Sequence, residues 1–254
     1  MVSWSELIAR TKQYLRFDRQ ELVGIIPVIF VTAFIFSFRD WGSPSFDLLL
    51  GLKNLVLLII VAGVSIFFRV GCQKVYSLSQ GQKADFKGWF PGSVIALIVA
   101  FISYSIFKSF GIDFHIPLVL AGTVSISFMT RLRMGEFRYG YSYEAGAVAA
   151  LWGIFGNLIM AILFAIGAFI VPQSYFFSKG IIINLIMAFC SLIPLPQLDG
   201  LTLYFGSKNF YIMGAAATVL AAVLLITRTK AGLIVAIVIG LISALVAILI
   251  GSEK

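Results

Sequence analysis

Histidine is almost missing from this chain: His115 is the single one in 254 residues. A catalytic zinc centre takes about three protein ligands, imidazoles foremost, and no imidazole pair can be assembled from one histidine. Cysteine is nearly as scarce. Cys72 and Cys190 both flank apolar runs, so nothing suggests a disulfide framework. Charge is thin, with 12% Asp, Glu, Lys and Arg against 60% hydrophobic residues, and the mean hydropathy is +1.02. No soluble domain hides that much apolar side chain, so the fold class is an all-α, polytopic membrane protein. Acids are fewer than bases, 11 against 19, for a net charge of +8. The bases sit in short loops between apolar runs, which points to membrane topology and away from nucleic acid. Long polar stretches are lacking too. The longest is 69–91, so no sizeable soluble domain is expected. The first twenty residues lack the apolar core and small-residue site of a cleavable signal.

What remains is largely membrane-spanning in character. Residues 1–20 carry Arg10, Lys12, Arg16 and Arg19 beside Trp4, Leu7, Ile8, Tyr14 and Leu15. That pattern predicts a basic amphipathic helix on the cytoplasmic surface. The rest, 21–254, reads as a single membrane domain. Apolar runs follow at 21–38, 48–68, 92–109, 114–129, 145–171, 180–198, 211–227 and 231–251, the last two forming a C-terminal hairpin. Most reach the roughly 20 residues of a helical span. The 114–129 run is short and holds His115, Pro117 and Gly122, so it is expected to cross, to re-enter or to be broken. With all eight as crossings and the N-terminus cytoplasmic, thirteen of the nineteen Lys and Arg residues fall inside. That agrees with the positive-inside bias.

One stretch stands apart: Ser191-Leu-Ile-Pro-Leu-Pro-Gln-Leu-Asp-Gly200. Paired prolines end a membrane helix and free its carbonyls. An acid at that depth needs water, a cation or a hydrogen-bond partner. Two earlier pieces accompany it. Phe68-Arg-Val-Gly-Cys-Gln-Lys74 continues the 48–68 run and precedes Gly81, Asp85, Phe86, Lys87 and Trp89. Trp152-Gly-Ile-Phe-Gly-Asn157 opens a long apolar run. Together these resemble the site-2 protease family of intramembrane zinc metallopeptidases over about 48–205. That family has H-E-x-x-H on one helix, G-P-x-x-N opening a second, and N-x-x-P-x-P-x-L-D-G on a third. By this resemblance Gly153, Asn157, Pro194, Pro196, Asp199 and Gly200 line a cleft that receives an unwound transmembrane segment. Ser191, Gln197 and Ile154 depart from the pattern.

The zinc motif itself is replaced. Aligned by its flanks, H-E-x-x-H becomes Arg69-Val70-Gly71-Cys72-Gln73. Arg69 stays protonated and cannot ligate; Val70 cannot accept a proton; Gln73 is a weak neutral ligand. Asp199 and Cys72 are at most two metal ligands, so no cofactor is expected unless atypical ligands hold zinc. Arg69 is expected either to snorkel at the inner interface or to pair with Asp199, a guanidinium taking the place of the cation.

The remaining polar residues have plainer readings. His115 beside Pro117 reads as a loop residue. Tyr139, Tyr141, Tyr143, Trp89 and Trp152 read as interface anchors, Glu136 and Glu144 as loop acids. Gly153 and Asn157 could equally be a close helix contact and an interhelical hydrogen bond.

The expected function is therefore a catalytically inactive relative of these peptidases. It would bind a transmembrane client or serve as a membrane-complex subunit in a prokaryotic cell membrane. An active metallopeptidase with unusual ligands is the alternative. A small-solute transporter is the third reading, disfavoured because no repeat-related pair of broken helices appears.

Overall fold

A computed structural model describes residues 4–42, 45–128, 143–227, 229, 231–240 and 242. Helix α1 (Trp4–Tyr14) is the amphipathic one; α2 (Arg19–Ser37), α3 (Leu48–Ser79) and α4 (Phe90–Ser109) follow. After them come α5 (Tyr143–Ile170), α6 (Tyr175–Leu192), the short α7 (Asp199–Gly206) and α8 (Lys208–Ile226). A further apolar helix, α9, covers Ala231–Gly240. Six of these, α2 to α6 and α8, are long and apolar enough to cross a membrane. The core between them is largely apolar, with Leu58, Ile66, Leu151, Ile154, Ile183 and Met187 fully buried.

Two departures from the sequence reading matter. Helix α3 does not stop near 68. It runs 32 residues to Ser79, because nothing in Arg69–Lys74 breaks a helix and no proline or glycine cap intervenes. The polar stretch beyond it is not a plain loop: Gln82–Gly88 forms β1, which pairs antiparallel with β2 (Gly122–Phe128). Alternate residues Gln82, Ala84 and Phe86 of β1 are buried, the period expected of a half-covered strand.

The 114–129 run is therefore not a membrane helix. Its first part is extended and its second part is β2. Pro117 and the Thr/Val/Ser/Ile/Ser/Phe alternation after Gly122 favour extended backbone over helix. The chain climbs α4 and returns along it. The Ile116 amide donates to Ser103 Oγ at 2.9 Å, Val119 to Cys190 Sγ at 3.4 Å, and Trp89 to the Ala121 carbonyl at 3.2 Å. Backbone of this kind survives at membrane depth only inside protein, and Val119, Leu120 and Ala121 are indeed buried.

The elements share two ends. At one, Lys74 of α3 meets Glu21 of α2, and Gly206 of α7 abuts the Tyr143 carbonyl of α5. At the other, Asp40 beyond α2 binds Tyr175 and Lys179 of α6. His115 packs there on Phe38, ring centroids 4.8 Å apart.

Candidate functional site

Three non-contiguous pieces meet at Asp199. Its carboxylate is fully buried at the first turn of α7, where the helix dipole favours an anion. Arg69, from α3, places Nη2 at 2.6 Å from Oδ2 and is itself 1% exposed. Gln73, one turn further along α3, donates Nε2 to the same oxygen at 2.8 Å. Thr123 of β2 donates its hydroxyl to Oδ1 at 2.7 Å. Arg69 Nη2 also lies 3.4 Å from the Gly122 carbonyl. The expected ion pair is thus present, reinforced by two neutral donors. A buried charge pair survives only if its remaining lone pairs and protons find partners. Here the carboxylate accepts from three side chains, while Arg69 Nε has no partner among the described residues.

Backbone economy makes the convergence possible. A Cβ on Gly153 of α5 would collide with Gln73 Nε2 and lie 3.1 Å from Asp199 Oδ2. Gly153 therefore clears the space in which Gln73 reaches the carboxylate. Gly122 has φ +122°, a conformation open mainly to glycine, and it turns the chain into β2 beside Arg69. A Cβ on Gly200 would lie 2.5 Å from the carbonyls of Leu192 and Ile193, so the proline turn folds tightly onto the start of α7. In that turn Pro194, Leu195, Pro196 and Gln197 are exposed, and Gln197 takes φ +67°.

The other residues singled out from sequence divide. Val70 is fully buried in the apolar core. Cys72 turns toward α5, 3.4 Å from where a Cβ on Gly156 would stand, and belongs to no group of three potential metal ligands among the described residues. Asn157 is fully buried, yet neither of its amide atoms has a hydrogen-bond partner among the described residues. The interhelical hydrogen bond expected of it is therefore not made. Ser191 donates to the Met187 carbonyl of its own helix at 2.7 Å. Trp152 stacks on Tyr76 with rings 23° apart, and Tyr143 is exposed. Tyr139, Tyr141 and Glu136 lie outside the described residues.

The donor set does not fit zinc. The positions aligned with the two histidines hold a guanidinium and an amide, and both already donate to Asp199. His115 is at the opposite end of α2 from Glu21, against Phe38.

Two features escaped the sequence reading. Thr123 was missed, although the alternating Thr123–Phe128 stretch carried a strand signal. So was a second buried ion pair, Lys74 with Glu21 at 2.7 Å. Glu21 also accepts the Phe86 amide of β1 at 2.7 Å and the Asp18 amide at 2.8 Å. Beside it Lys83 bridges Asp18 and Asp85. The Lys83 hydrogen bond holds the Asp18 carboxyl below its ordinary pKa, and the hydrogen bonds to Asp85 and Asp18 raise that of Lys83. Asp18, Glu21 and Asp85 are the one close group of three potential metal ligands among the described residues, and each already pairs with Lys74 or Lys83.

No protein-family model, curated protein or solved structure matches this chain.

Proposed function

We propose that this chain is a site-2-protease-like membrane protein that does not cleave peptide bonds. It resides in a prokaryotic cell membrane with a cytoplasmic N-terminus, and it holds an unwound transmembrane client or acts as a subunit of a membrane assembly. The observation that carries this reading is the 2.6 Å contact between Arg69 and Asp199. A fixed cation stands where the resemblance puts the metal, and Val70 stands where it puts the proton-accepting glutamate.

The surroundings support client binding. Phe86 turns its amide outward to Glu21, so α2 covers the outer edge of β1. In an antiparallel pair the residues facing Phe86 and Ala84, namely Val124 and Ile126, then point their backbone groups to the outer edge of β2. That edge begins at Gly122, whose carbonyl faces Arg69. An extended segment can add to such an edge by main-chain hydrogen bonds. The exposed Pro194–Gln197 turn leads directly into Asp199.

The decisive experiment restores the missing motif. Arg69→His, Val70→Glu and Gln73→His together recreate H-E-x-x-H on α3. The triple variant is expected to purify with about one zinc per chain, lost on adding Asp199→Ala, while the parent chain carries none. Zinc in the parent that depends on Asp199 would instead mark a metallopeptidase with atypical ligands. A folded triple variant without zinc would end the kinship. Saturable solute flux through proteoliposomes would favour a transporter.

A further inference from the structure

Helix α1 lies against the end of α3, and between them runs a groove of about 480 Å³ lined by Leu7, Ile8, Thr11, Lys12, Leu15 and Val75. Arg10 fixes the geometry: it donates Nη1 to the Leu78 carbonyl at 3.1 Å and pairs with Glu6. The walls are apolar. The Thr11 hydroxyl is spent on the Leu7 carbonyl at 2.8 Å.

The rim is cationic and unbalanced. Lys12, near the end of α1, and Arg16, just beyond that helix, are exposed, and Arg19 opens α2. The nearby acids are taken, Glu6 by Arg10, Asp18 by Lys83 and Glu21 by Lys74. Among the described residues no carboxylate answers Lys12, Arg16 or Arg19. An apolar slot under a row of free cations, at the end of a membrane helix, matches an acyl chain below an anionic headgroup. A zwitterionic headgroup would leave the rim charges unanswered.

We infer that the α1–α3 groove binds one anionic phospholipid, its chain against Leu7, Leu15 and Val75 and its phosphate at Lys12 and Arg16. The site is separate from Asp199, and its test is independent of the function proposed above.

The test is native mass spectrometry of the full chain released from nanodiscs of equal phosphatidylcholine and phosphatidylglycerol. Phosphatidylglycerol is expected to be retained about tenfold over phosphatidylcholine. Lys12→Gln and Arg16→Gln should each lower that retention about fivefold. Val75→Trp fills the groove, leaves both cations in place, and should abolish retention; circular dichroism and gel filtration confirm that each variant folds. Equal retention of the two lipids would overturn the inference. So would a folded Val75→Trp variant that keeps phosphatidylglycerol, since that would reduce the effect to surface charge alone.

Discussion

Asp199 and Arg69 bind each other at the expense of their hydration. Removing one partner leaves the other charged and buried, which typically costs about 3–5 kcal/mol. Asp199→Ala should therefore lower the thermal midpoint in detergent sharply. The paired change Arg69→Met with Asp199→Leu should recover most of the loss, because an apolar pair of similar volume is often neutral or better. A midpoint unmoved by Asp199→Ala would show that the pair does not hold the fold. Gly153 gives a second test at this scale. Gly153→Ala drives Gln73 off the carboxylate and should destabilise by about 1–3 kcal/mol. Gln73→Ala in the same chain should relieve part of that cost, a coupling that a double-mutant cycle reads directly.

The antiparallel β1–β2 pair joins otherwise separate pieces. Glu21 reaches Lys74 of α3 and the Phe86 amide of β1 from α2, so Glu21→Ala should raise hydrogen exchange across 82–88 as well as lower stability. Val124→Pro separates binding from folding. Its amide faces away from the β1 ladder, so the fold should hold while capture of an extended client falls; crosslinking from the Pro194–Gln197 turn reads it. The Lys83 strut adds a pH dependence. Asp18 titrates lower when folded, so its contribution is present above the unfolded carboxyl pKa of about 3.9 and is lost as pH falls through the folded value. Lys83 titrates higher, so its share is present below about 10.4 and is lost as pH rises through its own folded value. Exchange at β1 should therefore accelerate below about pH 4, and Lys83→Met should erase that dependence. Much of this element was hidden in the sequence. Helical spans announce themselves by long apolar runs, but a seven-residue strand inside such a region has no length to stand out. The Arg69–Asp199 pair was one of two readings open for Arg69, reached through the resemblance that aligns both residues with a metal site, and snorkelling was the other. Thr123 was not legible, since a hydroxyl in an apolar run ordinarily bonds to its own helix.

For the whole molecule, six of the apolar runs are helices of spanning length. The charge asymmetry between loops predicts which end faces the cytoplasm. With Cys72 and Cys190 replaced, Ser207→Cys should react with a membrane-impermeant thiol reagent only in inverted vesicles, and Gly111→Cys only in intact cells. The reverse pattern would invert the topology. The helical spans were readable because each has to be apolar over its full length. The manner of the 110–121 return was not, because the same composition serves a short helix and an extended segment packed in protein.

That return has a bearing on how the chain is made. Ten residues at about 3.3 Å each descend as far as twenty residues of α4 climb at about 1.5 Å each, but with main-chain groups that lipid alone cannot satisfy. The cover for Val119 comes from Cys190, a residue the ribosome adds seventy-one positions later. Insertion of this stretch therefore cannot be finished when it leaves the exit tunnel. It must wait, shielded by the translocation machinery or by water, until α6 has been synthesised and docks.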